Sequence, residues 1–336
     1  MHFRNEEEYR EYAYSKSLRK TANGLGAVLL VIFALEIVLS FVIVSVMNAT
    51  GADKLASVSS VLELLENGML SSFMFFFIFL IYILIKKRSI GALFPFEKIG
   101  AKKLWMLCVI GIFVSLMSNI APTLLTEVFG LFGLRNSGGD MDFGGLKPNI
   151  LLYYLTVAIM PAFTEEFAFR GVILGSLRKY SDGLALVVSS ALFALMHGNF
   201  VQIPFTFCCG LMFGFLVIKT NSLLPSIIVH FLNNGLSVTF DLLLQYQVMS
   251  IQMINLCYGA VILITGILAL LYIRKISKED QDFFRLKKAD DGIPYRNKVK
   301  SVASSPTLIT FAVVMFLFSV YVMMLPYLIE WGVIGY

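Results

Sequence analysis

The chain has 336 residues, of which 58% are hydrophobic and only 15% are charged. Soluble domains have roughly 45–50% apolar and about 25% charged residues, so this composition excludes an ordinary soluble protein and predicts a polytopic membrane protein. The formal net charge is +5, but the basic residues are spread between apolar segments, whereas a nucleic-acid surface would gather them on one folded face.

The first apolar run, residues 24–47, follows a polar and charged N-terminal segment. It is longer than the apolar core of a signal peptide, and no cleavage site of small residues follows it. We therefore expect it to be retained as a signal anchor that spans the bilayer.

Stretches of about twenty apolar residues predict membrane-spanning helices. The chain has nine of them, of which the fifth is short, and they predict an all-α transmembrane helix bundle. They cover residues 24–47, 68–86, 104–126, 149–177, 183–198, 201–218, 223–242, 254–273 and 306–328.

The distribution of lysine and arginine predicts the orientation of this bundle. With the N-terminus in the cytosol, 23 basic residues fall inside, three fall outside and Arg170 lies within a span, which accounts for all 27. Because positive residues are retained on the cytosolic side, we expect a multi-pass protein of the cell membrane with a cytosolic N-terminus. The basic loop 274–305 has little apolar periodicity, and we expect it to be a mobile cytosolic connection.

Three groups of polar residues interrupt the apolar segments, and the first is Glu165-Glu166-Phe-Ala-Phe-Arg170. On a helix Glu166 and Arg170 are four residues apart and can pair, which leaves Glu165 free to face something else. Pro161 removes a backbone donor one turn earlier and can open the helix there. Ionisable groups inside a bilayer are costly and usually functional, although a structural salt bridge would also explain this group.

The other two groups each contain a histidine. The run Phe193-Ala-Leu-Met-His197 ends the short fifth span, and His230-Phe-Leu-Asn-Asn234 lies well inside the seventh. Taken alone, the former is an ordinary polar helix end, and the latter is equally well explained as a hydrogen-bonding contact between helices.

Together the three groups fit amide hydrolysis without a covalent intermediate. A carboxylate and an imidazole activate a water as general base, and an imidazole with a carboxamide donates hydrogen bonds to an oxyanion. A zinc site made by Glu165, His197 and His230 is a second possibility, because two histidines and one carboxylate leave one position open. Neither a nucleophile elbow nor the H-E-x-x-H zincin motif is present.

The ordered set of these three motifs resembles the CAAX-protease and bacteriocin-processing family of intramembrane endopeptidases, which includes the type II CAAX prenyl endopeptidases. The resemblance covers residues 161–235, about a fifth of the chain. It implies an internal cavity in a helical bundle and a proteolytic reaction.

Carried over by position, the resemblance implies that Glu165 is the general base and that His197 helps to hold the attacking water. His230 and Asn234 would stabilise the oxyanion. Structural support would come from Glu166, Arg170 and Phe193.

The resemblance also implies a division of the chain. Residues 1–148 would form an N-terminal cytosolic segment with three accessory spans, 149–242 the catalytic core, and 243–336 two C-terminal spans joined by the basic loop. No cofactor is expected, and the expected substrate is a membrane-associated protein or peptide, lipidated or not.

Two alternatives to proteolysis remain at this stage. A transporter could use the buried carboxylates as a proton relay, but it would need inverted repeats or paired broken helices. A relative without proteolytic activity could act as a membrane scaffold.

The predicted depths of the motif residues add a structural requirement. Glu165 and His230 fall nearer the cytosolic side, whereas His197 falls nearer the outside. We therefore expect either that the fifth span starts deep in the membrane or that the fourth breaks near Pro161.

Overall fold

The computed structural model describes residues 5–50, 65–134, 149–287, 289, 291–331 and 333. Over these residues the chain is helical and has no β-strand. Ten helices of nine residues or more make up the fold: α1 Glu6–Thr50, α2 Gly68–Ile85, α3 Ala101–Leu131, α4 Ile150–Arg178, α5 Asp182–Met196, α6 Ile203–Thr220, α7 Leu224–Gln245, α8 Ile251–Glu279, α9 Tyr295–Ala303 and α10 Pro306–Glu330.

All nine predicted apolar segments are helices. In the described part of the chain, eight of them are long and apolar enough to cross a membrane, and the protein is an integral multi-pass membrane protein. The exception is α5, whose 15 residues rise about 22 Å, less than the roughly 30 Å of the bilayer core. The sidedness of the termini stays a prediction.

Three clusters of buried apolar side chains hold the bundle together. One joins α1, α2, α4, α5 and α10, a second joins α3, α6, α7 and α8, and a smaller third joins α4 and α7. Residues that face outward are also largely apolar, such as Phe41 and Leu256, as expected where lipid replaces water. Helices α4, α5 and α7 carry the three polar motifs.

Helix α4 is continuous but wound unevenly. A π-helical segment, Tyr154–Ile159, precedes the α-helical turn Met160–Glu165, and a second π-helical segment follows at Glu166–Leu174. Pro161 stands at the start of the α-helical turn, where its missing N–H is tolerated. The predicted break near Pro161 is therefore replaced by two changes of winding. Such π segments are frequent at functional sites.

The connection 274–305 is more ordered than the sequence indicates. Its described part contains α9, which packs against α1. Lys298 on α9 is 2% exposed and donates hydrogen bonds to the Tyr180 carbonyl and the Asp291 carboxylate at 2.9 and 2.6 Å. The Tyr14 hydroxyl of α1 contacts the same two acceptors. The expectation of a mobile connection is wrong for this part, because a buried lysine fixes α9 to the turn between α4 and α5.

Candidate active site

The three polar motifs meet at one cavity of about 570 Å³ inside the bundle. Its walls carry Glu165 of α4, His197 at the end of α5, and His230 and Asn234 of α7. Helices α1, α2, α6 and α10 complete the walls, so the cavity extends beyond residues 149–242. The four residues predicted to be catalytic thus share one cavity.

Glu166 lies at the centre of the polar network. Its Oε1 accepts a hydrogen bond from Arg170 Nη1 at 2.8 Å, as the spacing of four residues predicts. The same oxygen lies 2.9 Å from Nδ1 of His230, and all three side chains are at most 5% exposed. Because an ionised carboxylate only accepts hydrogen bonds, Nδ1 of His230 carries the hydrogen. Glu166 therefore orients His230 as well as pairing with Arg170.

Glu165 occupies the turn just before the π-helical segment and faces the cavity. Its side chain is 26% exposed, and Oε2 lies 3.7 Å from Nε2 of His230. Neighbouring glutamates on one helix thus have different surroundings: Glu166 is fully buried in an ion pair, whereas Glu165 is accessible from the cavity. An accessible carboxylate is suited to accept a proton from a bound water.

His197 stands at the C-terminal end of the short helix α5. Its Nδ1 lies 2.8 Å from the carbonyl oxygen of Phe193, and a carbonyl only accepts, so Nδ1 carries the hydrogen and Nε2 is left as an acceptor. The charge of Glu165 acts on this ring. After His197, Gly198 adopts φ +60°, and a side chain there would meet the ring of Phe318 at 2.6 Å.

The end of α5 explains how residues of different predicted depth come together. Because α5 is short and stops at the cavity, His197 reaches the same space as Glu165 and His230. The structure confirms that the fifth segment is short, and its expected start deep in the membrane stays a prediction.

Asn234 projects from α7 one turn after His230. Its amide nitrogen donates to the Val157 carbonyl at 3.0 Å, and its oxygen accepts from Asn233 at 3.1 Å. These contacts fix which end of the amide is the donor, and the second hydrogen on Nδ2 is not used by Val157. Asn233 also lines the cavity and is 4% exposed, although the sequence pattern singled out only Asn234.

Aromatic rings hold the charged groups in place. The guanidinium of Arg170 lies 4.2 Å from the ring centre of Phe193 and 5.0 Å from that of Phe213. Phe213 stacks on His230 at 5.1 Å, and Phe193 meets His197 edge-on at 4.9 Å. Cation–π contacts of this kind stabilise a buried guanidinium. Phe193 therefore supports two motifs, and Phe213 contributes although it belongs to none.

A metal site in this cavity would need several ligating side chains close together. Within the described ranges, no group of three or more His, Cys, Asp or Glu side chains could hold one. His230 uses Nδ1 for Glu166, so only its Nε2, which lies 3.7 Å from Oε2 of Glu165, is left to face a metal ion. The alternative zinc site of Glu165, His197 and His230 stays a prediction.

One polar residue of the cavity was missed in the sequence. Glu36 lies in the middle of the apolar part of α1, lines the cavity and interacts with the charge of Glu165. A carboxylate in an otherwise apolar span is costly, and this signal was available in the first segment.

Comparisons with known proteins agree with the three motifs. Residues 147–236 match the family model described as Type II CAAX prenyl endopeptidase Rce1-like. The family resemblance is confirmed over this segment.

Two curated bacterial proteins are similar to the chain. The "Membrane-embedded CAAX protease MroQ" of Staphylococcus aureus is 32% identical over 137 residues, which cover 39% of this chain and 55% of that protein. The "Putative membrane peptidase YdiL" of Bacillus subtilis is 27% identical over 148 residues, covering 44% and 59% of the two chains. The chain thus spans little more than half the length of either relative. No solved structure gives a significant match.

Proposed function

We propose that the protein is an intramembrane endopeptidase that hydrolyses a peptide bond of a membrane-associated protein or peptide with a water activated by Glu165. The observation that carries the proposal is the single cavity in which an accessible carboxylate, two imidazoles and a carboxamide meet. The similarity to proteins named as a CAAX protease and a membrane peptidase supports it.

The hydrogen-bond pattern supports the following direction of proton transfer in the first step. Glu165 accepts one hydrogen of the attacking water, and Nε2 of His197 accepts the other. The water oxygen then forms a bond to the carbonyl carbon while its proton moves to Glu165. General-base catalysis of this type contributes about 10²–10⁴-fold to a rate.

Two donors are available for the oxyanion that results. Nε2 of His230 donates when both ring nitrogens carry hydrogen, a form that the Glu166 carboxylate at Nδ1 stabilises. The second amide hydrogen of Asn234 is the other donor. The proton on Glu165 passes to the leaving nitrogen as the C–N bond breaks, so that the products are an amine and a carboxylic acid, which then loses its proton to water.

The test compares membranes that contain the wild-type protein with membranes that contain Glu165→Gln. Gln keeps the shape of the side chain but cannot take a proton at neutral pH. We expect precursors to accumulate in the variant and their processed fragments to disappear, as measured by mass spectrometry of protein termini. If fragments are unchanged and the variant keeps the wild-type phenotype, the protein acts as a non-proteolytic scaffold.

Zinc dependence is the second reading of the same residues and has its own test. Because the described side chains do not form a metal-binding cluster, we expect 1,10-phenanthroline to leave the cleavage rate within about twofold, whereas removal of a catalytic metal abolishes activity. Loss of activity that returns on addition of Zn²⁺ would support the metal-dependent reaction instead.

A further inference from the structure

The cavity carries more negative than positive charge. Its acidic and imidazole side chains are Glu36, Glu165, His197 and His230. The Cys209 thiol also lines it, but no described lysine or arginine does. Arg170, the nearby cation, is paired with Glu166. Two carboxylates therefore face one cavity that no described lysine or arginine lines.

Glu36 is the carboxylate without a role in the proposed reaction. It is partly buried, and Ser71 at the start of α2 lines the same cavity. Among the residues that the structure describes, no lysine, arginine or histidine forms an ion pair with it. The two carboxylates, Glu36 and Glu165, are close enough for their charges to interact.

A low-dielectric environment makes the pair of carboxylates, Glu36 and Glu165, selective for a cation. Like charges repel strongly there, and a cation placed between them removes the repulsion and gains attraction from both. Glu36 lies on α1 and Glu165 on α4, so a group bound at Glu36 would contact a different wall of the cavity from Glu165. The apolar rings of Phe75 and Phe318 line the same cavity and suit the aliphatic stem of a long basic side chain.

From this geometry we infer that Glu36 is a specificity-determining residue that binds a lysine or arginine side chain of the substrate close to the scissile bond. The inference rests on the proposed function in so far as the bound polypeptide is the substrate of Glu165. It assigns a function to a span outside residues 149–242.

The test uses two labelled peptides of about 20 apolar residues, the length of a membrane span. They differ only at one central position, which is lysine in one peptide and norleucine in the other. Norleucine retains the aliphatic stem but lacks the ammonium group. Binding to the purified protein in detergent is measured by fluorescence anisotropy, and cleavage of the same peptides is measured by mass spectrometry.

We expect the wild-type protein to bind the lysine peptide at least about tenfold more tightly than the norleucine peptide, a modest value for a buried charge pair. In Glu36→Gln this ratio should fall close to one. Glu127→Gln, which changes an exposed carboxylate on α3, is the matched control and should keep the wild-type ratio. Glu36→Ala provides a second substitution if the glutamine variant does not fold.

Equal affinity of the wild-type protein for both peptides would overturn the inference, and so would a lysine preference that survives in Glu36→Gln. Different results would contradict the proposed hydrolysis and the cation site at Glu36. Binding with a lysine preference but without cleavage contradicts the proposed reaction and leaves the cation site intact. Cleavage that depends on Glu165 but ignores the lysine contradicts the cation site alone.

Discussion

At the scale of single residues, Glu166 does more than its spacing from Arg170 indicates. The sequence predicts the ion pair correctly, because residues four apart share a helix face. It does not reveal that the same oxygen also binds His230, 64 positions later. That contact depends on how α7 packs against α4, which no local pattern contains.

The double role of Glu166 predicts a separation of stability from activity. Glu166→Leu leaves the Arg170 charge buried and unpaired, which should cost about 3–5 kcal/mol. Adding Arg170→Met removes the charge and should restore most of the stability. Activity should not return in the double variant, because His230 still lacks its acceptor.

This pair of variants is compared by thermal unfolding in detergent and by cleavage of one substrate. A double variant that regains both stability and wild-type cleavage would show that Glu166 is needed only as a partner of Arg170.

The polar residues of the cavity differ in how well the sequence reveals them. Glu165, His197, His230 and Asn234 stand in recognisable motifs, and the structure brings them together. Glu36 has no motif, but its charge inside an apolar run is a visible signal. Phe213 gives no such signal, since a phenylalanine in an apolar helix looks the same whether it packs on lipid or on His230.

At the scale of helices, close contact between α2 and α4 shapes one wall of the cavity. Gly68 of α2 lies against the first π-helical segment of α4, and a Cβ atom there would be 2.2 Å from Cβ of Thr156 and 2.9 Å from its Cα. Because backbone atoms cannot move aside as a flexible side chain can, the two helices would have to separate.

We therefore expect Gly68→Ala to lower both the melting temperature and the cleavage rate, with a cost of about 1–3 kcal/mol, typical of overpacking. The matched control is Gly259→Ala on α8, where a Cβ would meet nothing within 4 Å. That control should be neutral or slightly stabilising, since alanine favours a helix by about 0.5–1 kcal/mol over glycine. Equal melting temperatures for both variants would contradict the close packing of α2 on α4.

The winding of α4 was not predictable from its sequence. Hydrophobic runs and Pro161 correctly predict a helix that is perturbed near Glu165. Whether the perturbation is a break or a change to π winding depends on backbone hydrogen bonds, which neighbouring helices help to select. The short length of α5, in contrast, was readable from its 15 or so apolar residues.

At the scale of the whole molecule, the contact between Asp291 and Lys298 joins distant parts of the chain. It connects α9 with Tyr14 of α1 and with Tyr180, between α4 and α5. Burial by itself raises the pKa of the Asp291 carboxyl, but hydrogen bonds from Lys298, the Ile293 N–H and Tyr14 hold the pKa below its ordinary value.

The lowered pKa of Asp291 in the folded state determines how the stability of the protein changes with pH. The unfolded carboxyl titrates near about 3.9, so the stabilisation is fully present above that pH and is lost as the pH falls through the folded value. We expect Asp291→Asn to cost about 1–3 kcal/mol at pH 7, the range for hydrogen bonds to charged groups. The difference from the wild type should shrink below about pH 4, as measured by thermal unfolding. A stability difference between the wild type and Asp291→Asn that does not change with pH would contradict the stabilisation of the Asp291 carboxylate by its hydrogen bonds.

The general architecture followed from composition, because apolar runs of spanning length determine both the helices and their number. The packing of α9 could not be predicted from the sequence, because its polar residues resemble those of a solvated loop. Its one buried lysine gives no local signal. Which helices are neighbours in a bundle depends on side-chain fit across large sequence distances, and apolar residues suit lipid and protein equally well.

The central claim is that Glu165 activates water for peptide-bond hydrolysis inside the membrane-embedded cavity. The most direct measurement is the single-turnover cleavage rate of a substrate found in the membrane comparison, using purified protein reconstituted in liposomes. Glu165→Gln should lower this rate by about 10²–10⁴-fold and leave the melting temperature close to that of the wild type. A correctly folded Glu165→Gln protein that cleaves at the wild-type rate would contradict the account.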